Sequence, residues 1–202
     1  MINITNLSKT FDEKVLFKNF NMEIPNGSFM VISGESGCGK STLLNMIGGI
    51  ELPDSGSIII NGIEVSKKGK KQMYFKEVVG FLFQNFALLE NKTVKENLNI
   101  IKKDGRTNMS IQDVLMKVGL QDAIDKKVYK LSGGEQQRVA LARLMLKKCS
   151  IILADEPTGS LDSKNTDIVM NVLHELNKQG KTVIIVTHNE KIVEQEKMVI
   201  HL

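Results

Sequence analysis

Gly34-Glu35-Ser36-Gly37-Cys38-Gly39-Lys40-Ser41 carries the spacing G-x-x-x-x-G-K-[ST] of a phosphate-binding loop. Its glycines permit a tight turn whose backbone N–H groups face phosphate oxygens, and a helix opening at Lys40 adds its positive end. Lys40 would reach the β- and γ-phosphates of a nucleoside triphosphate and Ser41 would ligate Mg²⁺. Glu35, Ser36, Cys38 and Thr42 complete the contact set of the loop. Cys38 reads as a small residue that the tight loop tolerates, with a regulatory thiol as the second reading. Further along, Ile151-Ile152-Leu153-Ala154-Asp155-Glu156 is an apolar strand ending in two carboxylates. Asp155 at the strand end is placed to hold Mg²⁺, directly or through water. Glu156, one residue later, points elsewhere and can polarise a water for in-line attack on the γ-phosphate. Together these residues predict hydrolysis of a nucleoside triphosphate.

A third segment, Leu131-Ser132-Gly133-Gly134-Glu135-Gln136-Gln137, is not explained by the phosphate loop. It resembles the signature motif of ABC-type ATPases, and the resemblance extends along nearly the whole chain. Gln84, ending a strand, resembles the Q-loop glutamine. Ser160-Leu161-Asp162 resembles the D-loop, and His188, after the strand Thr182 to Val186, resembles the switch histidine. All five elements stand in the family's order. Asp155 to Asp162, Phe83-Gln84-Asn85-Phe86 with Leu88-Leu89, and Thr93 to Asn97 are most similar to cassettes of the macrolide-exporter and lipoprotein-releasing type. Related cassettes serve antimicrobial-peptide and bacteriocin export or resistance.

What the resemblance implies is a composite site. Two cassettes dimerise head to tail, and each ATP with its Mg²⁺ lies between one phosphate loop and the partner's signature motif. Ser132, Gly133, Gly134 and Glu135 would then contact the nucleotide of a second subunit, most simply a second copy. The residues themselves supply a reason, since Ser132 can cap the following helix and the glycines let backbone N–H groups approach a γ-phosphate. The resemblance further implies that Glu156 polarises the attacking water and that His188 contacts the γ-phosphate. Gln84 would reach the Mg²⁺ and the water, and Lys40 would act on the transferred phosphate. Phe11 stands where the family stacks an aromatic, most often tyrosine, on adenine; its competing reading is a core residue. Integral membrane permease chains are implied as partners, placing the subunit on the cytoplasmic face of the membrane. Driving a non-transport membrane complex, such as peptide sensing or envelope-hydrolase control, is the alternative. Nucleic acid is not an expected partner, because cassettes acting on DNA or ribosomes need a longer chain than 202 residues.

Three departures stand out. Glu35 occupies a position that is often proline, no proline precedes the signature at Val128-Tyr129-Lys130, and the chain stops at Leu202, soon after His188. Most relatives continue for another strand and a helix, so no regulatory C-terminal domain is expected. Asn85-Phe86-Ala87-Leu88-Leu89 carries three large apolar groups. They are expected to form an exposed patch that receives a short permease helix, or else to anchor the insertion's own core.

These side chains need a scaffold, and the pattern of the chain names one. Apolar strands at Phe29 to Ile32, Val78 to Phe83, Ser150 to Ala154 and Thr182 to Val186 alternate with helices at about 40–50, 132 onward and 163–178. That alternation predicts an α/β fold with a mostly parallel sheet. The first 30 residues read as short strands, Ile2 to Leu7, Val15 to Phe20 and Asn21 to Ile24, forming an antiparallel β subdomain; Ser57 to Ile60 follows a turn at Pro53. From about 85 to 130 the apolar spacing turns helical, which predicts a helical subdomain inserted in a core made of 1–84 and 131–202. Composition agrees with one soluble domain: 42% hydrophobic, 25% charged and a net charge of +4. No apolar run approaches the ~20 residues of a membrane span, and no secretory leader opens the chain, so neither class is expected. Two cysteines suit a reduced compartment. The lysines at 67, 68, 70 and 71 lack interleaved aromatics and read as a solvated loop.

Overall fold

The computed structural model describes residues 1–67, 69–159 and 161–202. Its centre is a five-stranded parallel sheet in the order β6-β7-β8-β3-β9: β6 is Val79–Leu82, β7 Ile151–Asp155, β8 Thr182–Val186, β3 Phe29–Ser33 and β9 Val199–His201. Successive side chains of a strand point to opposite faces, so an apolar strand needs cover on both. Ile152, Ala154, Val183, Ile185 and Val31 enter one core cluster, while Ile151, Leu153, Ile184, Val186, Met30 and Ile32 enter the other. The first face is covered by α5 (Gly133–Leu146) and α6 (Ser163–Lys178), the second by α1 (Lys40–Ile47) and a four-stranded antiparallel sheet. That second sheet has the order β2-β1-β4-β5, from β1 (Ile2–Phe11), β2 (Lys14–Ile24), β4 (Ser55–Ile60) and β5 (Ile63–Glu64). The α/β class and the parallel sheet are as the pattern predicts.

Several boundaries differ. The segments Val15 to Phe20 and Asn21 to Ile24 are one continuous strand, β2, paired along its length with β1. Asn19 takes a left-handed φ of 51° inside it and the register shifts, which breaks the alternation that would have marked a single strand. Helix α1 stops at Ile47 rather than at 50, because Gly48 and Gly49 follow and Gly49 has φ 72°. A short helix α2 (Lys71–Met73) runs into a π-helical turn, Tyr74–Val78, ahead of β6. After His188 the chain makes a helix, α7 (Glu190–Gln195), and then β9, which joins the sheet beside β3; neither element has a clear signal in the sequence.

Between β6 and α5 the regular structure is helical: α3 (Val94–Asn99), α4 (Ile111–Lys117) and single 3-10 turns. Val94, Leu98, Val114, Leu115 and Val118 are fully buried in the same cluster as α5. The lysines at 67, 70 and 71 are exposed, the first two in the expected loop and Lys71 at the start of α2; Lys68 lies outside the described residues. Among the described residues no helix is long and apolar enough to cross a membrane.

Candidate nucleotide site

Strand β3 delivers the chain to Gly34, and α1 receives it at Lys40. The turn between them needs left-handed backbone at Gly37 (φ 78°) and Gly39 (φ 108°). At Gly34 a side chain would also strike the carbonyl of Leu202, 2.6 Å from an added Cβ. Lys40 is 8% exposed, and its ammonium donates to the carbonyls of Gly34 (2.9 Å) and Glu35 (2.7 Å). It forms no ion pair among the described residues. Buried charges are ordinarily paired, so a cation held by carbonyls at a helix N-terminus fits a polyanionic ligand such as a triphosphate.

The two carboxylates stand where β7 ends. Ser41 Oγ donates to Asp155 Oδ1 at 2.9 Å, joining the first turn of α1 to the strand end. Burial raises the Asp155 carboxyl above the usual aspartate value; the Ser41 bond opposes this, the Glu156 charge adds to it and Lys40 draws it down. A hydroxyl and one carboxylate beside the phosphate loop are the oxygen donors Mg²⁺ takes when phosphates and water complete its shell. No cluster of three His, Cys, Asp or Glu side chains occurs among the described residues, so no all-protein cage competes with that arrangement.

Glu156 adopts φ 44°, a left-handed conformation costing about 1–3 kcal/mol for a residue with a side chain. The kink sends its carboxylate away from that of Asp155. Oε1 accepts from the backbone N–H of His188 (3.1 Å) and lies 2.7 Å from His188 Nδ1, while Oε2 accepts from Thr187 Oγ1 (3.1 Å). The Glu156 side chain is 11% exposed and that of His188 70%. The carboxylate is therefore fixed, while much of the imidazole faces open space.

Lys40, Ser41, Glu156 and His188 border one cavity of about 680 Å³; Asp155 and Thr187, which bond Ser41 and Glu156, do not line it. Most of the loop from Gly34 to Thr42 forms its floor, including Glu35 and Ser36; Gln84, Glu156, His188 and Leu16 form its walls. Gln84 is exposed at the end of the β6 segment. Cys38 does not line the cavity, and its sulfur lies 3.8 Å from Lys40 Nζ. Phe11 is also outside the lining. It is 44% exposed, with Lys9 Nζ 4.7 Å from its ring centre, which corrects the reading of Phe11 as core. Leu16 and Thr187 are site residues the sequence did not single out. Thr187 stands directly between β8 and His188, and that adjacency was the available signal.

The signature segment lies elsewhere. Ser132 caps α5 in a capping box: its hydroxyl accepts from the Glu135 N–H (3.3 Å), and its own N–H donates to Glu135 Oε2 (2.8 Å). Ser132 and Gly133 are exposed and do not border the cavity. A Cβ on Gly133 would meet open space, whereas one on Gly134 would stand 2.7 Å from the Asn165 amide. Of the D-loop segment, Ser160 is outside the described residues, Leu161 packs on the core, and Asp162 caps α6 by accepting from Asn165 N–H at 2.8 Å. The expected exposed patch after Gln84 is corrected as well. Phe86 and Leu88 are half-buried against the core, and Arg143 donates to the carbonyls of Phe86 (2.9 Å) and Ala87 (2.6 Å). Only Leu89, 52% exposed, remains in solvent.

A family model described as ABC transporter matches residues 17–159. The macrolide export ATP-binding/permease protein MacB of Bdellovibrio bacteriovorus is 42% identical over 211 residues, covering 100% of this chain and 32% of that protein. The chain thus spans about a third of the length of the MacB relatives it matches. The uncharacterised ABC transporter ATP-binding protein YvrO of Bacillus subtilis is 38% identical over 207 residues, with 96% of this chain and 90% of that protein aligned. Among solved structures, the dimeric post-hydrolysis state of the ATP-binding cassette MJ0796 bound to ADP and Pi matches with a TM-score of 0.87 and 34% identity, over 100% of this chain and 94% of that one. A second dimeric structure of MJ0796 matches with a TM-score of 0.89 and 36% identity, at the same coverage.

Proposed function

This chain belongs to the ABC transporter family, and from that premise we propose that it binds and hydrolyses ATP as the engine of a separate membrane permease. The observation that carries the reading is a division of the site. The phosphate loop, Gln84, Glu156 and His188 share one open cavity, while the capped start of α5 is exposed outside it. A complete site then needs a second copy, whose Ser132, Gly133, Gly134 and Glu135 close over the nucleotide. The MJ0796 cassette, similar in fold and sequence, is a dimer in its solved structures.

In this reading Lys40 exchanges its contacts with the Gly34 and Glu35 carbonyls for β- and γ-phosphate oxygens. Loop N–H groups and the N-terminus of α1 bind the remaining charge. Ser41, Asp155 and Gln84 would hold Mg²⁺, which would supply neutralisation of the phosphate charge. Glu156, clamped by Thr187 and His188, orients the attacking water and draws off its proton. The exposed His188 ring is free to meet the γ-phosphate. Phe11, displayed on β1 next to the strand that bears Leu16, supplies a flat face for adenine.

Relatives named as macrolide export ATP-binding/permease proteins, of which this chain matches about a third, support a permease partner and an export role; a peptide, drug or lipid-like molecule is the cargo class we propose. The subunit would sit peripherally on the cytoplasmic face of the membrane. The helical stretch from about 85 to 130 would move as a unit with Gln84 and report nucleotide state to the permease.

The test is Glu156→Gln. We expect ATP binding to persist, steady-state hydrolysis to fall at least about 100-fold, the range lost with a general base, and an ATP-dependent dimer to accumulate with Mg²⁺. Near-parental turnover would remove Glu156 from the mechanism.

A further inference from the structure

We infer that Gln137 is a positioning residue for Glu156, tying the turn after the two carboxylates to the signature helix. The inference rests on the hydrolytic role proposed above for Glu156. Gln137 lies little more than one turn into α5 and is 1% exposed. Its Nε2 donates to the carbonyl of Pro157 at 2.7 Å, across 20 residues of sequence. Pro157 is the buried residue immediately after Glu156, inside a tight turn closed by Gly159 N–H to Glu156 O (3.2 Å). Glu156 is therefore gripped from two directions. Thr187 and His188 hold its carboxylate, and Gln137 holds the backbone that its left-handed φ of 44° has kinked.

A glutamine here is a costly choice for packing alone. Its neighbours Val139, Ala140 and Leu141 are buried and apolar, and Gln137 Oε1 has no partner among the described residues. A methionine or leucine would fill similar space and leave no side-chain acceptor stranded, but would leave the Pro157 carbonyl without its donor. What the amide adds is the bond to Pro157. A second rung runs parallel to it. Arg138 bonds Asn165, whose Nδ2 donates to Asp162 Oδ2 (2.9 Å) at the start of α6. The loop from Glu156 to α6 is thus fastened to the first two turns of α5, the helix whose exposed start is the signature. Helices move as rigid rods over such distances. Seating Ser132 and Gly133 on a second copy's nucleotide would shift Pro157, and with it the Glu156 of the same chain.

The experiment compares Gln137→Met, matched in length and without a donor, with the parent chain. We expect unchanged ATP affinity and unchanged KM, a small loss of thermal midpoint from the unpaired Pro157 carbonyl, and kcat falling about tenfold, as for a lost positioning bond. Gln137→Glu gives an independent reading, because a carboxyl can donate to Pro157 only when protonated. Its kcat relative to the parent should rise as pH falls. Parental kcat in Gln137→Met overturns the inference, and so do parallel losses of kcat, ATP affinity and stability in both variants, which indicate a packing role. Glu156→Gln serves as the reference. If it hydrolyses ATP normally, the role of Glu156 itself fails; if it does not, and Gln137→Met is parental, only the positioning role fails.

Discussion

Asp155 and Glu156 are chain neighbours, yet their surroundings prepare them for different work. Glu156 is bonded on both oxygens by groups from the end of β8. Asp155 has one hydroxyl partner and a burial penalty, and its carboxyl is held above the usual aspartate value chiefly by that burial. A carboxyl raised in the folded state keeps a proton that the unfolded chain has already released. Stability therefore falls as pH climbs from the unfolded value through the raised folded one, and stays reduced above it. The nucleotide-free protein at neutral pH carries that cost, which a bound cation would offset. Asp155→Asn should raise the thermal midpoint of the nucleotide-free chain by a few degrees at pH 7, with the gain vanishing once the pH is low enough to protonate Asp155. The same variant should weaken the Mg²⁺ dependence of hydrolysis. Equal midpoints at neutral pH would mean that Asp155 is not strained by its site.

At the scale of elements, the start of α5 separates two glycines that look interchangeable in sequence. A methyl group on Gly133 enters open space, but one on Gly134 runs into Asn165, the residue that fixes the first turn of α6. Gly134→Ala must push the Asn165 amide aside and loosen the start of α6, so it should be less stable than Gly133→Ala, whose methyl meets open space and gains helix propensity. Equal midpoints for the two, read by chemical denaturation, would place Asn165 farther from α5 than it stands here. Such local geometry explains what was legible in the sequence. The phosphate loop needs only a strand, glycines and a helix in succession. Helix α6 and strand β8 match their predicted limits because Asp162 caps one end of α6 and Gly180 (φ 92°) turns the chain at the other. Features that depend on distant partners were not legible. Thr187 reaches Glu156 across 31 residues, Gln137 reaches Pro157 across 20, and β9 becomes a strand only because β3 offers it an edge. Nor could spacing alone decide between exposure and burial for Phe86 and Leu88. Arg143, far along the chain, pins their loop to α5 and turns two of the three apolar groups inward.

In the proposed dimer the phosphate loop and the start of α5, which stand apart on each chain, are two halves of one nucleotide site, a statement about stoichiometry that a mixing experiment can decide. Lys40→Ala removes the buried cation of the phosphate loop but leaves Ser132 to Glu135 intact. Gly133→Asp places bulk and negative charge where a γ-phosphate would dock, in space the fold leaves open, so the chain should still fold and its own loop should still bind ATP. Each variant alone forms dimers in which both sites are broken, one half failing in each, and neither should hydrolyse ATP. A two-fold dimer places the same two surfaces of each copy in contact with the other. A mixed dimer therefore pairs the sound loop of the Gly133→Asp chain with the sound signature of the Lys40→Ala chain, restoring one site of two. Equal mixing makes half the dimers mixed, so at most about one quarter of parental turnover should return under random pairing. If each site were completed within a single chain, every chain in the mixture would carry its own defect and no activity could reappear. Recovery on mixing, measured at constant total protein against each variant alone, thus separates a shared site from a self-contained one.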